Sequence, residues 1–82
     1  MNPKIPATAA MLVKNSERYL HEVLTALQDF DEVLLLDNGS TDRTFEIAER
    51  FTNVSYYKYD FIGFGPMKNL AARLAQNNWI FS

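Results

Sequence analysis

Hydrophobic positions along this chain fall in two textures that alternate. A run of small and apolar residues occupies Ala7 to Val13 (ATAAMLV), and short unbroken apolar runs occupy Val33 to Leu36 (VLLL) and Trp79 to Phe81 (WIF). Val54 to Tyr59 (VSYYKY) is rich in β-branched and aromatic residues with polar ones interleaved. Between these segments the apolar residues are spaced. Leu20, Val23, Leu24 and Leu27 fall at i, i+3, i+4 and i+7, as do Met67, Leu70, Ala71 and Leu74, while Thr44, Ile47, Ala48 and Phe51 repeat the same interval. Unbroken runs suit strands covered on both faces, and the spaced sets each make one stripe of a helix. The predicted order is β-α-β-α-β-α-β.

The polar punctuation agrees. Lys14-Asn15-Ser16-Glu17 ends the first run, where Asn15 or Ser16 is placed to cap a helix and Glu17 to favour its positive end. Asp29-Phe30-Asp31 separates the first helix from the second strand. Asp37-Asn38-Gly39 turns the chain after that strand, and Ser40 or Thr41 is placed to cap the second helix with Asp42 in support. Asn53 interrupts that helix. Asp60 to Gly65 (DFIGFG) forms a loop, Pro66 suits a first helical turn, and Gln76-Asn77-Asn78 ends the third helix.

Strands alternating with helices predict a Rossmann-like parallel sheet joined by right-handed crossovers. The chain has 82 residues, enough for one small domain with a modest core. A last strand that breaks off after three or four residues predicts a fragment of a larger fold. Net charge −2 gives no electrostatic reason to bind nucleic acid, and the absence of cysteine removes disulfides and thiolate metal sites. No apolar run is long enough to cross a bilayer and no signal peptide is visible, so the expected address is the cytoplasm.

In an open α/β sheet, ligands gather at the carboxyl ends of the strands. Three segments should meet there: Val13-Lys14-Asn15, Asp37-Asn38-Gly39 and Asp60 to Lys68. Asp37 can accept hydrogen bonds from a base N–H or a ribose hydroxyl. Lys68, near the start of the third helix, can face a phosphate beside free helix amides. Each residue taken singly also has a plain reading. Asp37 before a glycine is turn chemistry as readily as a ligand, Lys68 alone reads as a solvated helix residue, and the tyrosines read as strand packing. His21 receives no role. Gly63-Phe64-Gly65 is half of a dinucleotide fingerprint, in the wrong place, with Lys68 where the third glycine belongs.

Taken together, MLVKNSERYL, EVLLLDNGSTDRTFEIAERF and GFGPMKNLAARLAQNNWIF resemble, in order and spacing, the N-terminal part of glycosyltransferase family 2 enzymes. The resemblance runs from about Ala7 to Phe81. The third segment is similar to that of bacterial lipopolysaccharide-core glucosyltransferases. It implies the N-terminal half of a GT-A fold over residues 1–82, with strand order 3-2-1-4. It also implies an inverting transfer of sugar from a nucleotide-sugar donor, most often UDP-linked, to a glycan or glycolipid acceptor. By the same resemblance Val13, Lys14 and Asn15 line the nucleotide pocket, Asp37 contacts base and ribose, and Lys68 approaches the nucleotide. Asn38 stands where many members have a second Asp. The family's divalent cation, Mg or Mn, is held by a D-x-D motif beyond Ser82, so this chain supplies no metal ligands and no catalytic base of its own. The implied setting is the inner face of the cytoplasmic membrane. An uncovered sheet edge at the fourth strand predicts self-association. Two other readings stay open on the residues alone: a dinucleotide-dependent oxidoreductase fragment, in which Asp37 holds a ribose, and a non-catalytic receiver-like module.

Overall fold

The computed structural model describes residues 4–60, 63–77 and 80–81. The elements run β1 (Ile5–Val13), α1 (Leu20–Ala26), β2 (Phe30–Asp37), α2 (Thr44–Ala48), β3 (Val54–Lys58), α3 (Phe64–Leu74) and β4 (Ile80–Phe81). Every pairing is parallel, in the order β3-β2-β1-β4. The alternation read from the hydrophobic pattern is therefore the alternation of the fold, a partial Rossmann-like sheet. Trp79 and Asn78, which the sequence assigns to the last strand and the preceding turn, lie outside the described residues, as do Phe61 and Ile62 of the third loop.

β2 is the spine because its unbroken apolar run is buried from both sides. Val33 and Leu35 pack with Leu20 and Leu24 of α1 and Ala48 of α2. Leu34 and Leu36 point the opposite way and pack with Met67 and Ala71 of α3. Alternation along a strand requires this division, with helices on both faces of the sheet. β3, with its interleaved polar residues, is an edge strand.

The helix starts differ from expectation. α1 begins at Leu20 rather than beside Asn15 or Ser16, and α2 at Thr44 rather than beside Ser40 or Thr41; neither has a side-chain cap at the residue before it. The candidate caps are engaged elsewhere, in bonds between the two loops described below. Pro66 does occupy the first turn of α3, where its missing N–H costs nothing.

One buried carboxylate organises the amino-terminal end of the sheet. Glu32 in β2 is 2% exposed. Its Oε1 accepts from Thr8 Oγ1 of β1 (2.8 Å) and from the Gln76 amide after α3 (2.9 Å), and its Oε2 accepts from Ser55 Oγ of β3 (2.6 Å). Asn77 Nδ2 extends the set to Thr8 Oγ1 (3.2 Å) and Asp31 (3.0 Å). A charge removed from water needs such hydrogen bonds. Here they tie three strands to the turn that leads into β4.

Candidate functional site

The carboxyl ends of β1 and β2 meet in register, Val13 opposite Asp37, and the Asn38 amide donates to the Val13 carbonyl (2.9 Å). Beyond this point the two loops are hydrogen-bonded to one another. Asn15 lies in the left-handed region (φ 49°), which Asn tolerates better than most residues. That conformation lets its amide donate to Ser40 Oγ (2.8 Å) while its Oδ1 accepts from the Thr41 amide (2.8 Å). The buried Ser16 amide donates to Thr44 Oγ1 (2.8 Å), whose own hydroxyl donates to Asp42 Oδ1. The Thr44 amide reaches the same oxygen (2.9 Å), so Asp42 covers a free donor at the start of α2. The Glu17 amide reaches the other Asp42 oxygen (3.3 Å), and the Arg43 amide returns a bond to Glu17 Oε2 (3.3 Å). Partial burial acts to raise the Asp42 pKa. The hydrogen bonds from Thr44, Glu17 and its own amide outweigh that and hold the carboxyl below its ordinary value of 3.8.

Asp37 sits within this frame with none of its surface exposed. Its Oδ1 accepts from the Ser40 amide (2.8 Å), which is the turn chemistry a strand-end Asp provides. Its Oδ2 is buried without a hydrogen-bond partner. An unpaired buried carboxylate oxygen is costly, and such groups are kept where a ligand or ion supplies the partner. Asp37, Gly39, Lys58, Tyr59 and Asp60 line an open cavity of about 400 Å³ at the carboxyl ends of β2 and β3. The Tyr59 amide donates to the Asp37 carbonyl (2.9 Å), fixing the far wall. Gly39 holds φ +93° with nothing within 4 Å of where a Cβ would stand, so the turn needs glycine for its backbone and not for space.

The residues singled out from the sequence therefore take different places. Asp37 and the half-buried Asn38 stand at the cavity end of β2. Val13 is in the core against α1, and its contribution here is its carbonyl. Lys14 is exposed, and the Asn15 side chain is committed to Thr41. Lys68 is exposed on α3 and borders a separate apolar cavity of about 250 Å³ with Ala10, Leu12, Leu36, Met67 and Ala71. That cavity lies on the Leu36 side of the sheet, whereas strand alternation puts Asp37 on the side of Val33 and Leu35. In the sequence Lys58 and Tyr59 read only as strand residues. The signal that could have found them is register, since Lys58 is the β3 partner of Asp37. Among the described residues no three His, Cys, Asp or Glu side chains stand together as metal ligands. Nor is any helix among them long and apolar enough to cross a membrane.

The lipopolysaccharide core biosynthesis glycosyltransferase LpsC of Rhizobium meliloti (strain 1021) is 27% identical over 86 residues, an alignment covering all of this chain and 32% of that protein. The poly(ribitol-phosphate) beta-N-acetylglucosaminyltransferase TarS of Staphylococcus aureus is 35% identical over 77 residues in strains Mu50 and MW2, covering 80% of this chain and 13% of TarS. The chain thus spans a third or less of the length of these relatives. The family model for glycosyl transferase family 2 matches residues 8–82, and the chain belongs to that family.

Proposed function

We propose that this chain is the nucleotide-sugar-binding portion of an inverting family 2 glycosyltransferase. On this reading its parallel sheet is the N-terminal half of a GT-A fold, and the strand order β3-β2-β1-β4 supports that. The donor is a UDP-sugar, and the acceptor is a glycan or glycolipid such as the lipopolysaccharide core named for LpsC. The observation that supports this reading is Asp37 Oδ2, a buried acceptor without a partner on a residue that lines a cavity at the ligand-bearing edge of the sheet. A nucleoside presents base N–H and ribose hydroxyl donors that match it. Val13, Lys14 and Asn15 border the donor beside Asp37 and Asn38, whereas Lys68, expected from the family resemblance to approach the nucleotide, borders a cavity on the other face of the sheet and is given no part in this pocket. Members of the family typically use a divalent cation, and among the described residues no three His, Cys, Asp or Glu side chains are grouped to hold one. Sugar transfer takes place at the cytoplasmic face of the membrane.

Calorimetric titration of the full 82-residue chain with UDP and with NAD tests the reading. UDP should bind more tightly, and Asp37→Ala should weaken it by roughly tenfold or more, the scale of a hydrogen bond to a charged group. Tighter binding of NAD would turn the assignment toward an oxidoreductase fragment. The chain alone should show no metal-dependent sugar transfer.

A further inference from the structure

At the opposite edge of the sheet, where the strands begin, a second polar cavity of about 360 Å³ opens between the end of α1 and the turn following α2. Lys4, His21, Arg50 and Thr52 line it, and no carboxylate does. In a chain of net charge −2, that composition is a local reversal of sign. Among the described residues, the Arg50 guanidinium, the His21 ring nitrogens and the Thr52 hydroxyl make no hydrogen bond or ion pair. Lys4 Nζ spends one bond on the Gln28 carbonyl (2.9 Å) and keeps two donors in reserve.

The floor of the cavity removes what would repel an anion. The carboxyl end of a helix carries partial negative charge on its last carbonyls. Here the Leu27 carbonyl at the end of α1 and the Phe30 carbonyl at the start of β2 accept from Asn53 Nδ2 (3.2 and 3.0 Å), and Lys4 takes the Gln28 carbonyl in the connection between them. The His21 ring is held edge-on against Phe51, with centroids 5.6 Å apart. The Leu27, Gln28 and Phe30 carbonyls near the cavity are thus occupied, while the Arg50 guanidinium and the His21 ring remain open. From this juxtaposition we propose that the cavity between α1 and the turn after α2 is a phosphate-binding site, taking a phosphomonoester group through Arg50, Lys4, His21 and Thr52. It is distinct from the donor pocket. The eight residues of β2 separate the two, roughly 25 Å of extended chain.

The phosphomonoester can come from a soluble molecule or from a lipid headgroup, and two arms of one experiment separate these sources. Inorganic phosphate is titrated into the full chain and followed by amide chemical shifts. Vesicles of phosphatidylcholine, with and without phosphatidic acid, are tested by co-sedimentation. Saturable shifts clustered at residues 21, 28 and 50–53 are expected. Arg50→Ala should weaken phosphate binding by roughly tenfold or more, the loss of a charge-assisted bond, with Arg50→Lys intermediate and Arg73→Ala on α3 unchanged. Co-sedimentation only with phosphatidic acid, lost in Arg50→Ala, assigns the site to a lipid headgroup. Phosphate binding without co-sedimentation assigns it to a soluble phosphoester. Shifts that do not saturate, or that persist equally in Arg50→Ala, overturn the proposal. Because Arg50 is exposed, its variants keep the core intact.

Discussion

Glu32 is the residue whose environment its sequence context conceals most completely. It precedes the apolar run, and nothing in that context marks it as buried. Yet it is buried and accepts from two hydroxyls and an amide drawn from three other parts of the fold. What no single-strand pattern can show is that Thr8, Ser55 and the Gln76 amide converge there. Glu32→Ala should lower stability by about 2–4 kcal/mol, since it leaves three donors unmatched in a buried site. Glu32→Gln retains the shape and one acceptor oxygen and should cost only about 1 kcal/mol. Urea unfolding of the two variants checks the difference. Asp37 was legible in the opposite sense. Both readings of it were visible, and turn chemistry accounts for one of its oxygens while leaving the other unpartnered. Asp42 adds a pH signature. Its folded pKa lies below the ordinary 3.8, so its contribution to stability is complete above that value and is lost as pH falls through the lowered folded pKa. Comparison of Asp42→Asn with the parent chain should show a stability gap near neutral pH that closes in acid.

At the scale of elements, the strands and helices were legible because their apolar intervals are strong, and their boundaries were not. Asn15, Ser16, Ser40 and Thr41 look like caps when each loop is read alone. In the folded chain Asn15, Ser16 and Ser40 bond from one loop to the other, as does the Thr41 amide, which a short stretch of sequence cannot reveal. The consequence is that the β1 and β2 loops behave as one unit beside the Asp37 cavity. Asn15→Gly keeps the left-handed backbone and loses the bond to Thr41. Asn15→Ala loses the bond and adds conformational strain of about 1 kcal/mol, so it should be the more destabilising of the pair. Thr44→Val should be more damaging than either, by about 1–3 kcal/mol, because it strands the buried Ser16 amide. Hydrogen exchange should then quicken at residues 16 and 41–44 together, as expected of a shared unit, and leave the centre of β2 protected.

Alternation implies a parallel sheet, the family resemblance implies the strand order, and β3-β2-β1-β4 is the order found. Chain length in each element was less accessible, and it determines which edge is bare. β4 pairs with β1 only at Thr8 and Ala9, while β1 continues to Val13. On that side the backbone from Ala10 to Val13 has no strand partner among the described residues. Leu12 there is 40% exposed and borders the apolar cavity beneath α3. Unpaired N–H and C=O groups next to an apolar side chain form a template for another strand, and natural edges are guarded by charge, proline or a bulge. Neither charge nor proline is present between Ala10 and Val13. The 82-residue chain should therefore self-associate through β1, giving a sedimentation mass that rises with concentration. Leu12→Lys places a charge on the bare edge without touching the interior, because that side chain is already partly in solvent. It should shift the distribution toward monomer and leave the Asp37 cavity, which Leu12 does not line, unchanged. A variant that stays associated, or a parent chain that is monomeric at high concentration, would show that this edge is guarded by other means.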